Sequence, residues 1–275
     1  VIEGSEEIDM SGARNSRAAS GQSAGRLRHA LAVAWVAVLL TAHAPQATGA
    51  AECPPARQPR VPAASDTDVN IDMLKDRLRK YHAGDYNDDV ALVLADARAY
   101  VEKRVDEVKP ADQSKRLAVV LDIDETSLSN WPNLKANDFG FIRGGPCPEQ
   151  PNLSCGFDDW ILKASAPAIK PTLDFFNAAI ARNLSAFFIT GRRDSQRQAT
   201  LWNLDRAGYE GWAKLSTRPN DDANPSLVPF KSGERGKIEK SGYTIIANVG
   251  DQQSDLDGGF AECKFKVPNP FYFIP

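Results

Sequence analysis

Four aspartates, one threonine and one lysine carry the chemistry this chain could do. Asp122 and Asp124 stand two apart in LDIDETSLSN, directly after the apolar run Leu117–Leu121. Thr190 closes a second apolar run, Leu184–Thr190, and Asp251 and Asp255 follow a third, Tyr243–Val249. Lys231 lies near the start of a helical segment between the last two. Strand alternation puts Asp122 and Asp124 on one side, where they repel unless a cation or a shared proton intervenes. Carboxylates are hard oxygen ligands that suit Mg²⁺ rather than zinc or copper. A hydroxyl, backbone N–H groups and an ammonium are what a phosphate needs. A carboxylate can also attack phosphorus as a nucleophile. The bland rival is a strand followed by an acidic, capped turn.

These residues converge only if their strands are parallel neighbours. Each run is continuous and rich in Val, Ile, Leu or Phe, the pattern of a strand buried on both faces. Trp212–Leu215 and Cys263–Val267 add two short strands. Helices are expected between them: a first one bearing Leu74, Leu78 and Tyr81 with Asn70 as cap, and a stronger one whose stripe runs Val90, Leu94, Ala97, Val101, Val105, Val108 and stops at Pro110. Pro171–Arg182, a segment from Asp194 or Ser195 through Ala207, and Pro229–Lys240 follow. Alternating strands and helices imply an α/β, doubly wound (Rossmann-like) parallel sheet, whose strand ends share one edge. Residues 131–168 show no sustained periodicity and read as a small, loop-rich cap insertion over that edge. The expected organisation is a leader over 1–51, a linker with N-terminal helices over 52–115, and a core over 116–275.

Composition narrows the function. The chain has 275 residues and a net charge of −3, so no basic surface advertises a nucleic-acid partner. Arg26 and Arg28 precede the apolar run Ala30–Ala42, with small residues around Ala50 and Ala51, which reads as a signal peptide and its cleavage site. An uncleaved anchor is the alternative, although the run is short for a membrane span. Met10 is a candidate start, and Glu52 before Cys53 gives no lipoprotein site, so no stable membrane anchor is expected. With the leader gone only His82 remains, which excludes histidine-rich metal sites and two-histidine phosphatases. The G-x-S-x-G match at Gly21–Gly25 lies in the leader with no strand before it. Four cysteines in an exported chain favour disulfides. Of three possible connectivities, Cys147 and Cys155 are close enough for a loop staple, which leaves Cys53 for Cys263; a four-cysteine zinc site is the rival, though the C-x₂-C pairing is missing.

The order DxDxT, a strand ending in Thr, Lys, then GDxxxD resembles the haloacid-dehalogenase superfamily of phosphotransferases. The stretches VVLDIDETSLSN, FFITGRRDSQR, PFKSGERGKIEKSGY, ANVGDQQSDL and KVPNPFYFIP resemble more narrowly its secreted acid phosphatases and the plant vegetative storage proteins. That resemblance implies Asp122 as nucleophile and Asp124 as general acid and base. It implies Mg²⁺ held by Asp122, the Asp124 carbonyl, Asp251 and, directly or through water, Asp255. Thr190 and the Gly191 N–H would bind the phosphoryl oxygens and Lys231 would offset their charge. The implied function is Mg²⁺-dependent hydrolysis of small phosphomonoesters in the periplasm or outside the cell. Phosphoryl transfer to an alcohol, or a non-catalytic storage or binding protein on the same scaffold, are the alternatives.

Several residues carry two readings. The resemblance implies that Trp131, Phe139, Phe157 and Trp160 sandwich a nucleoside or aryl leaving group; the rival is that they form a small core for the insertion. Arg192 contacts substrate or makes a structural ion pair, as does Arg193. Arg235, one turn after Lys231, could brace an acidic residue, and His82 reads as a surface residue at a helix end.

Overall fold

The computed structural model describes residues 51–60, 70–112, 114–149 and 155–274. Residues 1–50 of the expected leader and 61–69 of the linker lie outside the described residues, and of the expected cleavage region near Ala50 or Ala51 only Ala51 is described. No described helix is long and apolar enough to cross a membrane.

The three long apolar runs do become neighbouring strands. β1 (Arg116–Leu121), β2 (Ser185–Arg193), β3 (Lys214–Arg218), β4 (Tyr243–Gly250) and β5 (Cys263–Lys266) form one sheet of order β3-β2-β1-β4-β5. Every pairing is parallel. β1 is central, and the chain leaves it toward β2 on one side and returns to β4 on the other. The gap between β1 and β4 is therefore the topological switch point, where ligands of such sheets bind. β1 alternates its faces: Leu117, Val119 and Leu121 belong to one apolar cluster, Ala118 and Val120 to the other.

Helices cover both faces, as parallel strands require. On one side α1 (Ile71–Ala83) leads into α2 (Tyr86–Ala111), which packs on β4, β5 and α5 (Lys170–Ala181). The α2 stripe is the expected one, with Val90, Leu94, Ala97, Val101 and Val105 all buried. The helix ends one residue past Pro110. Asn70 caps α1, its side-chain oxygen accepting the Asp72 N–H at 2.9 Å. On the other face α7 (Val228–Lys240) lays Ile238 against Val120, Phe187 and Ile245.

Three expectations need correction. The insertion is not all loop: α3 (Trp131–Ala136) and α4 (Phe157–Lys163) lie within it, each too short to show a period. The third strand lies further on than Trp212–Leu215. Its polar residues read as loop, but Ser216 and Arg218 find partners in Glu234 and Asp222, so β2 pairs them through Arg218. Neither Asp194 nor Ser195 caps the next helix. A 3₁₀ turn over Asp194–Gln196 precedes α6 (Arg197–Arg206), and the Asp194 carboxylate accepts from the Thr217 hydroxyl instead. Both cysteine pairs form as expected, with Cα–Cα separations of 5.6 Å for Cys53–Cys263 and 4.6 Å for Cys147–Cys155. The first ties the segment before α1 to β5; the second closes the loop between α3 and α4.

Candidate active site

The acidic turn is built by hydrogen bonds that converge on Ile123. β1 pairs with β4 for one residue beyond its end, through the Asp122 N–H on the Val249 carbonyl at 3.0 Å. The Ile123 carbonyl then accepts the N–H groups of Thr126, Ser127 and Leu128 at 3.3, 2.9 and 2.8 Å. The Ser127 hydroxyl donates to the Asp122 carbonyl at 2.6 Å. Such a tight loop forces Glu125 to φ 53°, a left-handed conformation uncommon for a residue with a side chain. Asp122 and Asp124 do face one cavity, though the turn rather than the strand pleat places Asp124 there.

One cluster joins the ends of β1 and β4. Asp122, Asp251 and Asp255 are 6%, 1% and 3% exposed. Their carboxylate oxygens come within 4.8 Å of one another. Lys231, in the first turn of α7, donates from Nζ to Asp122 Oδ1 at 2.5 Å and to Asp255 Oδ1. A close approach makes this possible: a Cβ on Gly250 would lie 2.3 Å from the Asp255 Cβ, so only glycine fits there. Burial, then the Asp255 charge, push Asp122 well above the usual carboxylate range despite Lys231. The same two causes raise Asp251 to about 7. Burial disfavours the Lys231 cation, but the charges of Asp122 and Asp255 outweigh it and raise its pKa. Three carboxylates against one ammonium leave excess negative charge in a dry place. A cation would relieve it, and an all-oxygen donor set fits Mg²⁺.

Asp124 sits apart from that cluster. Burial acts to raise its pKa, yet the Arg192 guanidinium, with Asn130, holds it below the usual range. Arg192 is buried and donates from Nη2 to Asp124 Oδ1 at 2.7 Å and from Nε at 3.1 Å. The ion-pair reading of Arg192 is formed, and the same side chain also lines the cavity. Arg193 donates to the Pro219 and Asp222 carbonyls. Thr190 is fully buried and its hydroxyl accepts the Arg192 N–H at 3.2 Å. β2 loses its register with β3 between Thr190 and Arg193, which turns Gly191 and Arg192 toward the cavity.

That cavity, about 470 Å³, brings together Asp122, Asp124, Gly191, Arg192, Lys231, Asp251 and Asp255. Phe139 and Phe157 line it, with Phe141 and the tail residues Tyr272 and Phe273. Trp131 and Trp160 do not. Trp131 stacks on His82 with ring centroids 3.7 Å apart, and the Trp160 Nε1–H donates to Asn130 Oδ1 at 2.8 Å in the core. Each tryptophan has a better use for its ring or its N–H than a solvent-filled cleft. His82 is thus no surface residue but half-buried among Trp131, Tyr86 and Phe271. Arg235 braces backbone rather than a carboxylate, donating to the carbonyls of Asp255, Gly259 and Asp257.

Sequence reasoning passed over the partners of the acids. Asn130 donates to Asp124 Oδ1 at 2.9 Å and to Glu125 Oε2 at 3.0 Å. The Tyr272 hydroxyl donates to Glu125 Oε2 at 2.7 Å. Asn269 and Gln252 donate to Asp251 Oδ2 at 2.8 and 2.6 Å, and Thr126 to its Oδ1 at 3.0 Å. The only signal was the aromatic, proline-bounded tail itself, which names no partner.

A doubly wound parallel sheet with acidic strand ends gathered over its switch point defines an α/β fold similar to a solved phosphatase. It superposes on the class C acid phosphatase from Bacillus anthracis with a TM-score of 0.55 at 23% identity, over 73% of this chain and 84% of that one. The chain belongs to the HAD superfamily, subfamily IIIB (acid phosphatase), whose description matches residues 41–275, and with it to the phosphoric monoester hydrolases. It is 36% identical over 196 residues to a stem 28 kDa glycoprotein of Glycine max, covering 70% of this chain and 71% of that protein. Against acid phosphatase 1 of Solanum lycopersicum it is 33% identical over 156 residues, covering 56% of this chain and 58% of that one. Against vegetative storage protein 2 of Arabidopsis thaliana it is 31% identical over 156 residues, covering 57% and 56%.

Proposed function

We propose that this chain is an exported, Mg²⁺-dependent acid phosphatase that hydrolyses small phosphomonoesters through an aspartyl-phosphate on Asp122. The observation that carries the reading is the pairing of Asp122 with Lys231 on the floor of the cavity, with Asp124 held separately beside it. Two carboxylates in one site but in different electrostatic surroundings are what separate nucleophile and proton-transfer roles require.

In this reading an Asp122 oxygen attacks phosphorus as the bond to the leaving oxygen breaks, and Asp124 protonates that oxygen. Water then attacks the phosphoryl group, Asp124 takes its proton, and Asp122 is released with inorganic phosphate. Arg192 favours the ionised Asp124 of the second step. The negative charge of arriving substrate opposes Arg192 and favours the protonated form needed first. Thr190, the Gly191 N–H and Lys231 hold the phosphoryl oxygens. Asp122, Asp251, the Asp124 carbonyl and Asp255 would hold Mg²⁺. Bound there, Mg²⁺ orients the phosphate and offsets the carboxylate charge. Phe139, Phe141 and Phe157 offer an apolar lining suited to an aryl or nucleoside leaving group. Two disulfides indicate an oxidising compartment, which together with the leader supports a periplasmic or secreted location.

Asp122→Asn tests this. Hydrolysis of p-nitrophenyl phosphate at acid pH should fall by about 10³-fold or more, with circular dichroism unchanged. EDTA should abolish wild-type turnover and Mg²⁺ restore it. Full activity in the variant would remove the aspartyl-phosphate, and no wild-type activity would return the chain to a storage role like that named in its relatives.

A further inference from the structure

The tail beyond β5 is tied to the acidic cluster by two amide side chains, and each is oriented in the same way. Asn269 Oδ1 accepts the Phe271 N–H at 2.9 Å, and its Nδ2 donates to Asp251 Oδ2 at 2.8 Å. Gln252 Oε1 accepts the Ile274 N–H at 3.1 Å, and its Nε2 donates to Asp251 Oδ2 at 2.6 Å. An amide has one acceptor end and one donor end. Because a backbone N–H of the tail takes the acceptor end in both cases, only the donor ends can face Asp251. The tail is itself held: Tyr272 bonds Glu125, and Phe271 packs against Tyr86 and Trp131.

We propose that residues 269–274 are a positioning strap that presets the Asp251 carboxylate for its metal. The inference rests on the Mg²⁺ reading above. Asp251 Oδ2 takes both amide donors, whereas among the described residues Oδ1 takes only the Thr126 hydroxyl. The rotamer is locked through Oδ2, and Oδ1 keeps the more available lone pair. Donors arranged in this way around a ligating carboxylate fix its direction before the ion arrives, and their loss costs metal affinity by 10- to 100-fold as an order of magnitude. Asn269 and Gln252 are positioning residues: they act through Asp251 and need touch neither phosphate nor metal. The strap also explains why a chain segment that contributes no acid of its own packs so tightly over the cluster.

Asn269→Ser separates this role from plain structure. Serine can still accept the Phe271 N–H in a turn, but it is too short to reach Asp251. Isothermal titration of EDTA-stripped protein with MgCl₂ is expected to give a dissociation constant about tenfold or more above wild type. The loss of phosphatase activity should be large at limiting Mg²⁺ and shrink as Mg²⁺ is raised, while the melting temperature in EDTA moves little. Mg²⁺ affinity within twofold of wild type in a folded Asn269→Ser protein would overturn the strap. Should that variant not fold, Gln252→Leu puts the same question to the second amide and is judged by the same titration. Wild-type protein that takes up no Mg²⁺ overturns the metal reading and the strap with it, a result distinct from equal binding by wild type and variant.

Discussion

Removing the Cys53–Cys263 disulfide should cost this protein more stability than any other single crosslink change. The bridge joins residues 210 apart, whereas Cys147–Cys155 joins residues only 8 apart. A crosslink restricts the unfolded chain in proportion to the logarithm of the loop it closes. The chain-entropy relation gives about 5 kcal/mol for the long loop and about 2.5 kcal/mol for the short one at room temperature. The native contacts add to the difference. Cys263 is 1% exposed in β5, and β5 pairs with β4, which delivers Asp251. The Cys53 end brings with it Arg57 and Arg60, paired with Asp96 and Asp89 of α2. The assay is urea unfolding at neutral pH of Cys53→Ser/Cys263→Ser and Cys147→Ser/Cys155→Ser, each against wild type, followed by fluorescence and by loss of activity. The long-bridge variant should unfold at the lower midpoint, by a margin equivalent to about 2–3 kcal/mol. A larger loss from the short bridge, or a loss under about 1 kcal/mol from the long one, would refute the argument that loop length governs the effect.

Other perturbations have equally direct outcomes. Burial, helped by Lys135, lowers His82 from 6.5 to about 4. The unfolded chain therefore binds that proton first, and stability present above pH 6.5 drains away as pH falls toward 4. The full shift corresponds to about 3 kcal/mol and the partly exposed ring to about half of that, so the urea midpoint of His82→Phe should fall less than wild type's across this window. Gly250→Ala sets a Cβ 2.3 Å from the Asp255 Cβ. It should lower stability by about 1–3 kcal/mol and blunt the rise in melting temperature produced by Mg²⁺. Arg192→Leu leaves Asp124 without its cation, costing about 3 kcal/mol in denaturant melts. It should also move the alkaline limb of the kcat/KM profile to higher pH, because the first step needs Asp124 protonated and Arg192 no longer holds that carboxylate ionised.

The elements most legible in the sequence were those governed by local pattern. The α2 stripe repeats over five buried positions, enough for its period to stand out. The three apolar runs were long and unbroken because both faces of the sheet are covered. What was missed was short or polar. α3 and α4 have six and seven residues, fewer than two full turns each, so no period could show. β3 hides Ser216, Thr217 and Arg218 in a sheet, which becomes tolerable only once Glu234, Asp194 and Asp222 arrive from elsewhere.

The acids divide along the same line. The convergence of Asp122, Lys231, Asp251 and Asp255 was readable because each follows a strand or opens a helix, and a parallel sheet brings such positions to one edge whatever the loops do. That much the sequence determined alone. Thr190 instead lies buried within β2 away from the cavity lining, and Asp124 reaches the cavity through the turn. The electrostatic states of the acids were not readable. Asp124 lies below the usual range and Asp251 above it because Arg192 turns in at a register shift, while Asp255 crowds Asp251 in a dry cluster. Trp131 and Trp160 stood between a leaving-group sandwich, implied by the resemblance, and a small core for the insertion; stacking on His82 and a bond to Asn130 claim them for the scaffold. Asn269 and Tyr272 lie 18 and 147 residues from the acids they bond. No spacing rule connects residues that far apart, so only the closed tertiary structure could decide which donors fix each carboxylate.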